Sequence, residues 1–300
     1  MSPPYADVLS CMAAHELSGP VLGVVWDRIS YGLEEAILGG EFLRITRNSI
    51  HRLGHLRTFH LPGGQKAIAE PRRTALGLLY EIFGQKVFRL KTLPSVQAFS
   101  AKELKALKAT LAEMLDAPVT ASAGRLFDAV ASIIGLRQKV RFEGQASMDL
   151  EFAADDIETN EAYPLPIVEP KTPKSKPAGG APHSELILDW SLMIQRIVAE
   201  ISEGVPAWEI SAKFHNALAE GIVAMAHRAG ESRIVLAGEC FHNKYLAERT
   251  LRRLVSEGFH VVHSQTGLSQ EGDPSLRQLR AGGPEHTWPK QATGTGLNSK

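Results

Sequence analysis

The sequence predicts an α/β protein, and three observations carry that prediction. Residues 233–263 run strand, helix, strand, the order of a βαβ unit with a parallel sheet and a right-handed crossover. Two short apolar runs near the N-terminus have strand character, and much of the chain between these regions repeats apolar residues at helical spacing. With 300 residues and 44% apolar side chains, the chain can bury a core divided between two lobes.

Taken in order, Pro20-Val21-Leu22-Gly23-Val24-Val25-Trp26-Asp27 is a buried strand that delivers Asp27 to its carboxyl end. Residues 35–43 are mostly apolar and interrupted by Gly39-Gly40. They form a second strand with a bulge or a close backbone approach, and the pair makes a hairpin about residues 28–34. Helices are expected over 68–83 and 100–115, the second opened by the capping box Ser100-x-x-Glu103. Ser122-Ala123-Gly124 reads as a loop feeding a helix that stops at Gly135, and another helix covers 144–152. Prolines, lysines and glycines accumulate over 161–182, marking a linker or an excursion within one fold. Helices near 186–201 and 208–229 follow, then a strand at 233–238, a helix at 243–257 and a strand at 259–263. Residues 265–300 lack any sustained period and are expected to be poorly ordered.

Thirty-three basic residues balance thirty-three acidic ones, so no field argues for nucleic acid or an anionic membrane. Cys11 and Cys240 lie far apart and belong to no CxxC pair, which fits a reducing cytoplasm. No apolar run is long enough to span a bilayer, and no secretory signal is recognisable.

Three glycine turns could let backbone N–H groups approach phosphate oxygens: Asp27 to Gly32, Ser122-Ala123-Gly124 and Ala237-Gly238. None has Walker A spacing, and singly each reads as ordinary turn chemistry. Asp128, one helical turn past Gly124, could accept hydrogen bonds from ribose hydroxyls, although by spacing alone a solvated helix residue is the stronger reading. His51 and His55 have the i, i+4 spacing of two ligands on one helix face. Gly54 and the missing third ligand favour surface or packing histidines there, and His260 and His263 point to opposite faces of a strand.

Several of these segments, in order, resemble one family. They are Cys11-Met12-Ala13-Ala14-His15, Gly39-Gly40-Glu41-Phe42, Leu61-Pro62-Gly63-Gly64, Glu70-Pro71-Arg72-Arg73, Ser122-Ala123-Gly124-Arg125-Leu126-Phe127-Asp128-Ala129-Val130, Phe142-Glu143-Gly144-Gln145-Ala146, Phe214-His215-Asn216 and Phe241-His242-Asn243. Over roughly residues 5–264 the sequence is similar to the C-terminal transferase domain of the HypF hydrogenase maturation family. The resemblance implies a two-lobed actin/sugar-kinase-like fold with RNase H-like subdomains. Residues 1–158 would then be an N-terminal lobe with nucleotide-binding segments, 159–183 a loop or linker, 184–264 a C-terminal βαβ lobe, and 265–300 a divergent tail.

It also implies a carbamoyltransferase that uses ATP and carbamoyl phosphate, through carbamoyl-adenylate, to carbamoylate the C-terminal cysteine of a HypE-like acceptor protein. By family position Gly124, Asp128 and Glu143 would contact nucleoside, Asp27, Gly238 and Asn243 would line the phosphate side, and Arg72 and Arg73 would hold the carbamoyl or phosphate group.

The departures are specific. Pro3 and Asp7 stand where the family has two metal-ligand histidines, so its zinc or iron site is expected to be lost. The family's Asp-Gly-Thr-Gly is here Asp27-Arg28-Ile29-Ser30, which is expected to weaken ATP binding. The pattern stops after Ser264, where Glu271-Gly272-Asp273-Pro274 replaces a metal-ligand motif, as a shifted frame or truncation would produce. The family's upstream modules are missing, so the chain is not expected to start the pathway alone. A non-catalytic binding protein on the same fold is the alternative reading. A small-molecule kinase is a further one, against which Glu143-Gly144-Gln145-Ala146 argues.

Overall fold

The computed structural model describes residues 5–31, 37–46, 48–170 and 185–263. The chain begins with α1 (Ala6–Ala14), β1 (Val21–Tyr31), β2 (Ile37–Ile45), β3 (Ile50–Leu56) and a two-residue β4 (Phe59–His60). Helices α2 (Gln65–Ala69), α3 (Pro71–Phe83), α4 (Pro94–Gln97) and α5 (Ala101–Glu113) follow, then β5 (Val119–Thr120), α6 (Ala123–Ile133) and α7 (Gln145–Ala154). The remainder holds β6 (Ile167–Val168), β7 (Leu186–Leu188), α8 (Ser191–Glu203), α9 (Ala207–Ala229), β8 (Arg233–Ala237), α10 (Lys244–Ser256) and β9 (His260–His263).

One sheet organises these elements, in the order β6-β7-β3-β2-β1-β8-β9. β1, β2 and β3 form an antiparallel meander, while β8 lies parallel to β1 and β9 parallel to β8. That is the RNase H-like arrangement, and β8–α10–β9 is the expected βαβ unit. Segments 1–158 and 184–264, expected as two lobes, both contribute strands to this sheet.

Side-chain alternation along β1 divides the core. Leu22, Val24 and Trp26 point into the large core under α3, α6 and α9, whereas Val21 and Val25 face α1 with Val8, Cys11 and Met12. Between them Gly23 admits the helix, since a Cβ there would stand 2.9 Å from Val8 Cγ2. Gly39-Gly40 is the close backbone approach expected. A Cβ on Gly40 would lie 2.2 Å from the Ala121 carbonyl oxygen, and one on Gly39 2.6 Å from the Asp27 carbonyl oxygen.

Several expectations are corrected. The hairpin is real, but residues 28–31 continue β1, so the expected Asp27 to Gly32 turn is strand as far as Tyr31; residues 32–36 lie outside the described residues. The 68–83 helix is broken at Glu70 because Pro71 cannot donate to a continuing helix and instead opens α3. The 186–201 helix begins only at Ser191. Leu186–Leu188 is extended because its backbone pairs with Gly54, His55 and Leu56 of β3. His51 and His55 sit on strand β3, not a helix, so their spacing has no helical meaning. The expected tail, 265–300, lies outside the described residues, as do 171–184 of the Pro/Lys/Gly-rich segment.

The capping box forms as predicted. Ser100 Oγ accepts from Glu103 N–H, and the Glu103 carboxylate accepts from Ser100 N–H at 2.8 Å. Ser100→Ala is expected to destabilise the protein by about 1 kcal/mol, read as a lower midpoint in urea.

Candidate functional site

Asp27 on β1 and the Gly238–Glu239 turn after the parallel strand β8 lie beside the start of α6, and α10 opens a few residues after that turn. In open α/β sheets this is where ligands bind, because helix N–H groups and strand ends converge there without covering side chains. Ser122 caps α6, its Oγ accepting from Arg125 N–H at 3.2 Å and donating to the Asp27 carbonyl oxygen at 2.9 Å. Asp27 follows the buried Trp26 on β1, and its Oδ1 accepts from Glu239 N–H at 3.3 Å.

Gly238, at φ 102°, makes the turn out of β8. Its missing side chain is required by the protein itself: a Cβ would stand 2.2 Å from the Trp26 carbonyl oxygen. Trp26 in turn stacks on Phe241 at 6.0 Å and meets Phe42 edge-on. Asp27, Ser122 and the Gly238–Glu239 turn are thus joined directly.

Asp128 is buried on α6, so the solvated-residue reading fails. Arg125 Nη2 lies 3.1 Å from Asp128 Oδ2 and 3.1 Å from Glu143 Oε1. Gly124 precedes them in the first turn of α6, where backbone N–H groups have no carbonyl partner within the helix. Arg125 Nε and Nη1 are buried and find no hydrogen-bond partner among the described residues.

Asn243 caps α10, Oδ1 accepting from Leu246 N–H at 2.9 Å while Nδ2 meets His215 Nε2 at 2.9 Å. His215 Nδ1 lies 2.8 Å from the Ser211 carbonyl oxygen, which can only accept, so Nδ1 carries the proton and Nε2 accepts from Asn243. Burial pushes the His215 imidazole down to about 4, although the hydrogen bond to Ser211 acts in the opposite direction. Its ring lies against Phe127, which links Asn243 to α6.

Arg72 and Arg73 fall in a different cluster. Arg72 donates from Nε and Nη2 to Glu70, from Nη2 to Glu103 at 2.8 Å and from Nη1 to the Ala98 carbonyl, and it covers the Phe99 ring. Arg73 donates from Nε to Glu70 at 2.9 Å. Those arginines and the flanking hydrogen bonds pull the Glu70 carboxyl below its ordinary value against the opposing effect of burial, which is the largest single influence.

Two residues of this site were not singled out from the sequence. Arg125 stood inside the Gly124–Asp128 motif, and His215 lay on α9 between Ile210, Phe214 and Ala217. A histidine amid apolar positions of a buried helix was the available signal.

Among the described residues, no three His, Cys, Asp or Glu side chains group to hold a metal ion. Asp7 lies on α1, and Pro3 lies outside the described residues. No helix among the described residues is long and apolar enough to cross a membrane.

Sheet order and site together define an α/β protein of the actin/sugar-kinase-like class. A family model described as "Carbamoyltransferase, Kae1-like Domain, second subdomain" matches residues 23–273, running past Ser264, where the resemblance had been expected to stop. The chain is 37% identical over 290 residues to carbamoyltransferase HypF of Synechocystis sp., covering 92% of this chain and 36% of that protein. It is 28% identical over 256 residues to a probable carbamoyltransferase HypF of Methanocaldococcus jannaschii, covering 84% and 31% respectively. A crystal structure of full-length HypF in the phosphate- and nucleotide-bound form superposes with a TM-score of 0.77 at 30% identity, over 90% of this chain and 40% of that one. T. kodakarensis HypF shares the fold, with a TM-score of 0.73 at 24% identity over 93% of this chain and 35% of that one. The chain belongs to the HypF carbamoyltransferase family and spans about a third of the length of these curated relatives.

Proposed function

We propose that this chain is the carbamoyl-transfer module of a HypF-type system, holding a carbamoyl-adenylate derived from ATP and carbamoyl phosphate and passing its carbamoyl group to the C-terminal cysteine of a HypE-like acceptor protein in the cytoplasm. One observation carries the reading: Asp27 of β1 joins the capped start of α6 to the Gly238–Glu239 turn after β8, with α10 opening at Lys244, and helix starts of this kind accommodate an adenylate's negative charge. The relative solved with phosphate and nucleotide bound supports it.

The nucleoside side fits a nucleotide. Asp128 and Glu143 supply carboxylates for ribose hydroxyls, and the unpartnered donors of buried Arg125 mark a polar position that the protein's own described groups leave incomplete. Gly124, in the first turn of α6, belongs with them, while Gly238 and Asn243 belong to the phosphate end, with Asp27 fixing the turn after β8. Arg73 is assigned to the carbamoyl or phosphate oxygen. Arg72, with donors committed to Glu70, Glu103 and Ala98, holds the start of α3 behind it.

Bound carbamoyl-adenylate supplies an activated acyl carbon. The acceptor thiolate forms a C–S bond there as the C–O bond to AMP breaks, so the module needs no nucleophile of its own. We infer that this transfer is slow, because Arg28 and Ser30 stand where the family's phosphate loop has glycines and Pro3 and Asp7 stand where it has metal-ligand histidines. The strand conformation of residues 28–31 also favours the alternative of a binding protein that keeps the fold without the chemistry.

Calorimetry with ATP tests the nucleotide reading. Asp128→Ala is expected to weaken binding by about tenfold, the loss of one or two hydrogen bonds. Unchanged affinity, measured against a parent that binds, would remove Asp128 from the site. Mass spectrometry of the acceptor cysteine, with pre-formed carbamoyl-adenylate, then separates slow transfer from none.

A further inference from the structure

We propose that the cavity between α10 and the segment after α7 is a binding site for a small zwitterion of the α-amino acid class, its carboxylate held by Arg249 and Arg252. None of the residues around this cavity is assigned to the nucleotide site above.

The cavity has a volume of about 460 Å³, within the roughly 300 to 1,000 Å³ of small-molecule sites. One wall is a single face of α10, where Tyr245, Glu248, Arg249 and Arg252 recur at helical spacing. The other wall is the irregular segment Ile157, Glu158, Thr159 and Asn160. Asn216 of α9 fastens that segment, donating from Nδ2 to the carbonyl oxygens of Thr159 at 2.9 Å and Glu161 at 2.8 Å. Its Oδ1 accepts from Tyr245 Oη at 3.4 Å, so one buried side chain sets both walls.

Arg249 is a nearly buried cation short of a counter-ion, its side chain 11% exposed. Nη1 donates to a neutral acceptor, Asn160 Oδ1, at 2.8 Å. The neighbouring carboxylate, Glu220, stands 3.8 Å from Nη2, beyond hydrogen-bond reach, and its two oxygens accept from Arg253 at 2.6 and 3.0 Å. Nε is buried with no partner among the described residues. Nε and Nη2 form one edge of the guanidinium, and two parallel donors on such an edge match the two oxygens of a carboxylate. Leaving a buried charge unpaired is costly, so the edge favours an anion. Arg252 adds a second positive charge on the same wall and makes no ion pair among the described residues.

The other lining charges select among anions. Glu158 and Glu248 border the same space, so a phosphate dianion would meet two carboxylates as well as two arginines. Glu248 has Lys244 Nζ at 3.9 Å, whereas Glu158 makes no ion pair among the described residues. A ligand with an ammonium beside its carboxylate satisfies both signs: the carboxylate meets the arginines and the ammonium meets Glu158. The same arrangement discriminates against ligands carrying negative charge alone.

The test is calorimetric titration of the full chain with each of the common α-amino acids and with inorganic phosphate. At least one amino acid is expected to saturate a single site, and phosphate is expected to bind more weakly than it does. The methyl ester of that amino acid, which lacks the carboxylate charge, and its N-acetyl form, which lacks the ammonium, are each expected to lose about tenfold in affinity, the equivalent of one charge-assisted hydrogen bond. Arg249→Gln is expected to weaken the amino acid by about tenfold or more. Arg252→Gln and Glu158→Gln alter exposed side chains, leave the fold intact and are expected to weaken it by about threefold each. No saturable binding by any amino acid overturns the proposal, as does an ester that binds as well as the free acid or phosphate that displaces it. Affinity unchanged in both Arg252→Gln and Glu158→Gln overturns the placement of the ligand in this cavity.

Discussion

Gly77→Ala is expected to destabilise the protein by about 3 kcal/mol or more, enough to leave a marginal domain largely unfolded. The residue lies in the middle of α3, flanked by buried Leu76, Leu78 and Leu79, and propensity alone would favour alanine there by about 1 kcal/mol. Sterics decide against it. A Cβ at position 77 would stand 1.9 Å from the His60 carbonyl oxygen and 2.8 Å from Pro62 Cδ, and a backbone carbonyl cannot rotate away as a side chain can. Moving His60 would strain β4, which pairs with Val119 and Thr120 of β5 just ahead of Ser122 and the candidate site. Gly84→Ala is the comparison: its φ of 51° carries a penalty of about 1 kcal/mol, but nothing lies within 4 Å of the added atom. Urea titration of both variants measures the difference, and a Gly77→Ala midpoint matching that of Gly84→Ala would refute the close-packing account.

Acid is expected to remove about 3 kcal/mol of stability through His215 alone. Its folded-state value of about 4 lies below the ordinary histidine value of 6.5, because burial disfavours the charged ring. Between those values the unfolded chain binds a proton that the folded one refuses, so stability rises with pH. The contribution is fully present above about pH 6.5 and is lost as the pH falls toward 4. Protonation would also place an N–H against Asn243 Nδ2, setting donor against donor at the cap of α10. His263, lowered by burial and by His242, acts with the same sign, so the parent must be compared with His215→Gln. Glu70, held below the ordinary carboxylate value of 4.5, sheds its contribution only at still lower pH. Denaturant titrations at pH 7 and pH 5 should show a larger loss for the parent than for His215→Gln. Equal losses would exclude His215 as the acid-sensitive group.

Much of this architecture was legible because the relevant forces are local. Ser100-x-x-Glu103 announced a helix start through a hydrogen-bond pattern that closes within four residues, and 233–263 announced βαβ through a change of apolar period from two to 3.6. Gly39-Gly40 declared a close approach without naming what approaches. The failures share a cause. Leu186–Leu188 has the same apolar character as the helix after it, and only its partner β3, more than a hundred residues away in sequence, makes it extended. His51 and His55 suggested a helical face for the same reason, since spacing is meaningful only once the element is known.

The candidate site divides along the same line. The sequence by itself determined the kinds of group available: Gly124 and Asp128 one turn apart, Asp27 at a strand end, Asn243 at a helix start, and the ordered motifs that carry the family resemblance. The tertiary structure decided which of them meet. It set Ser122 against the Asp27 carbonyl, placed Arg125 between Asp128 and Glu143, locked Asn243 to a neutral His215, and committed Arg72 to Glu70, Glu103 and Ala98. A residue's chemistry is covalent and so travels with the sequence, whereas its protonation and its partners depend on burial and on atoms brought within about 3 Å by packing, which no local pattern specifies.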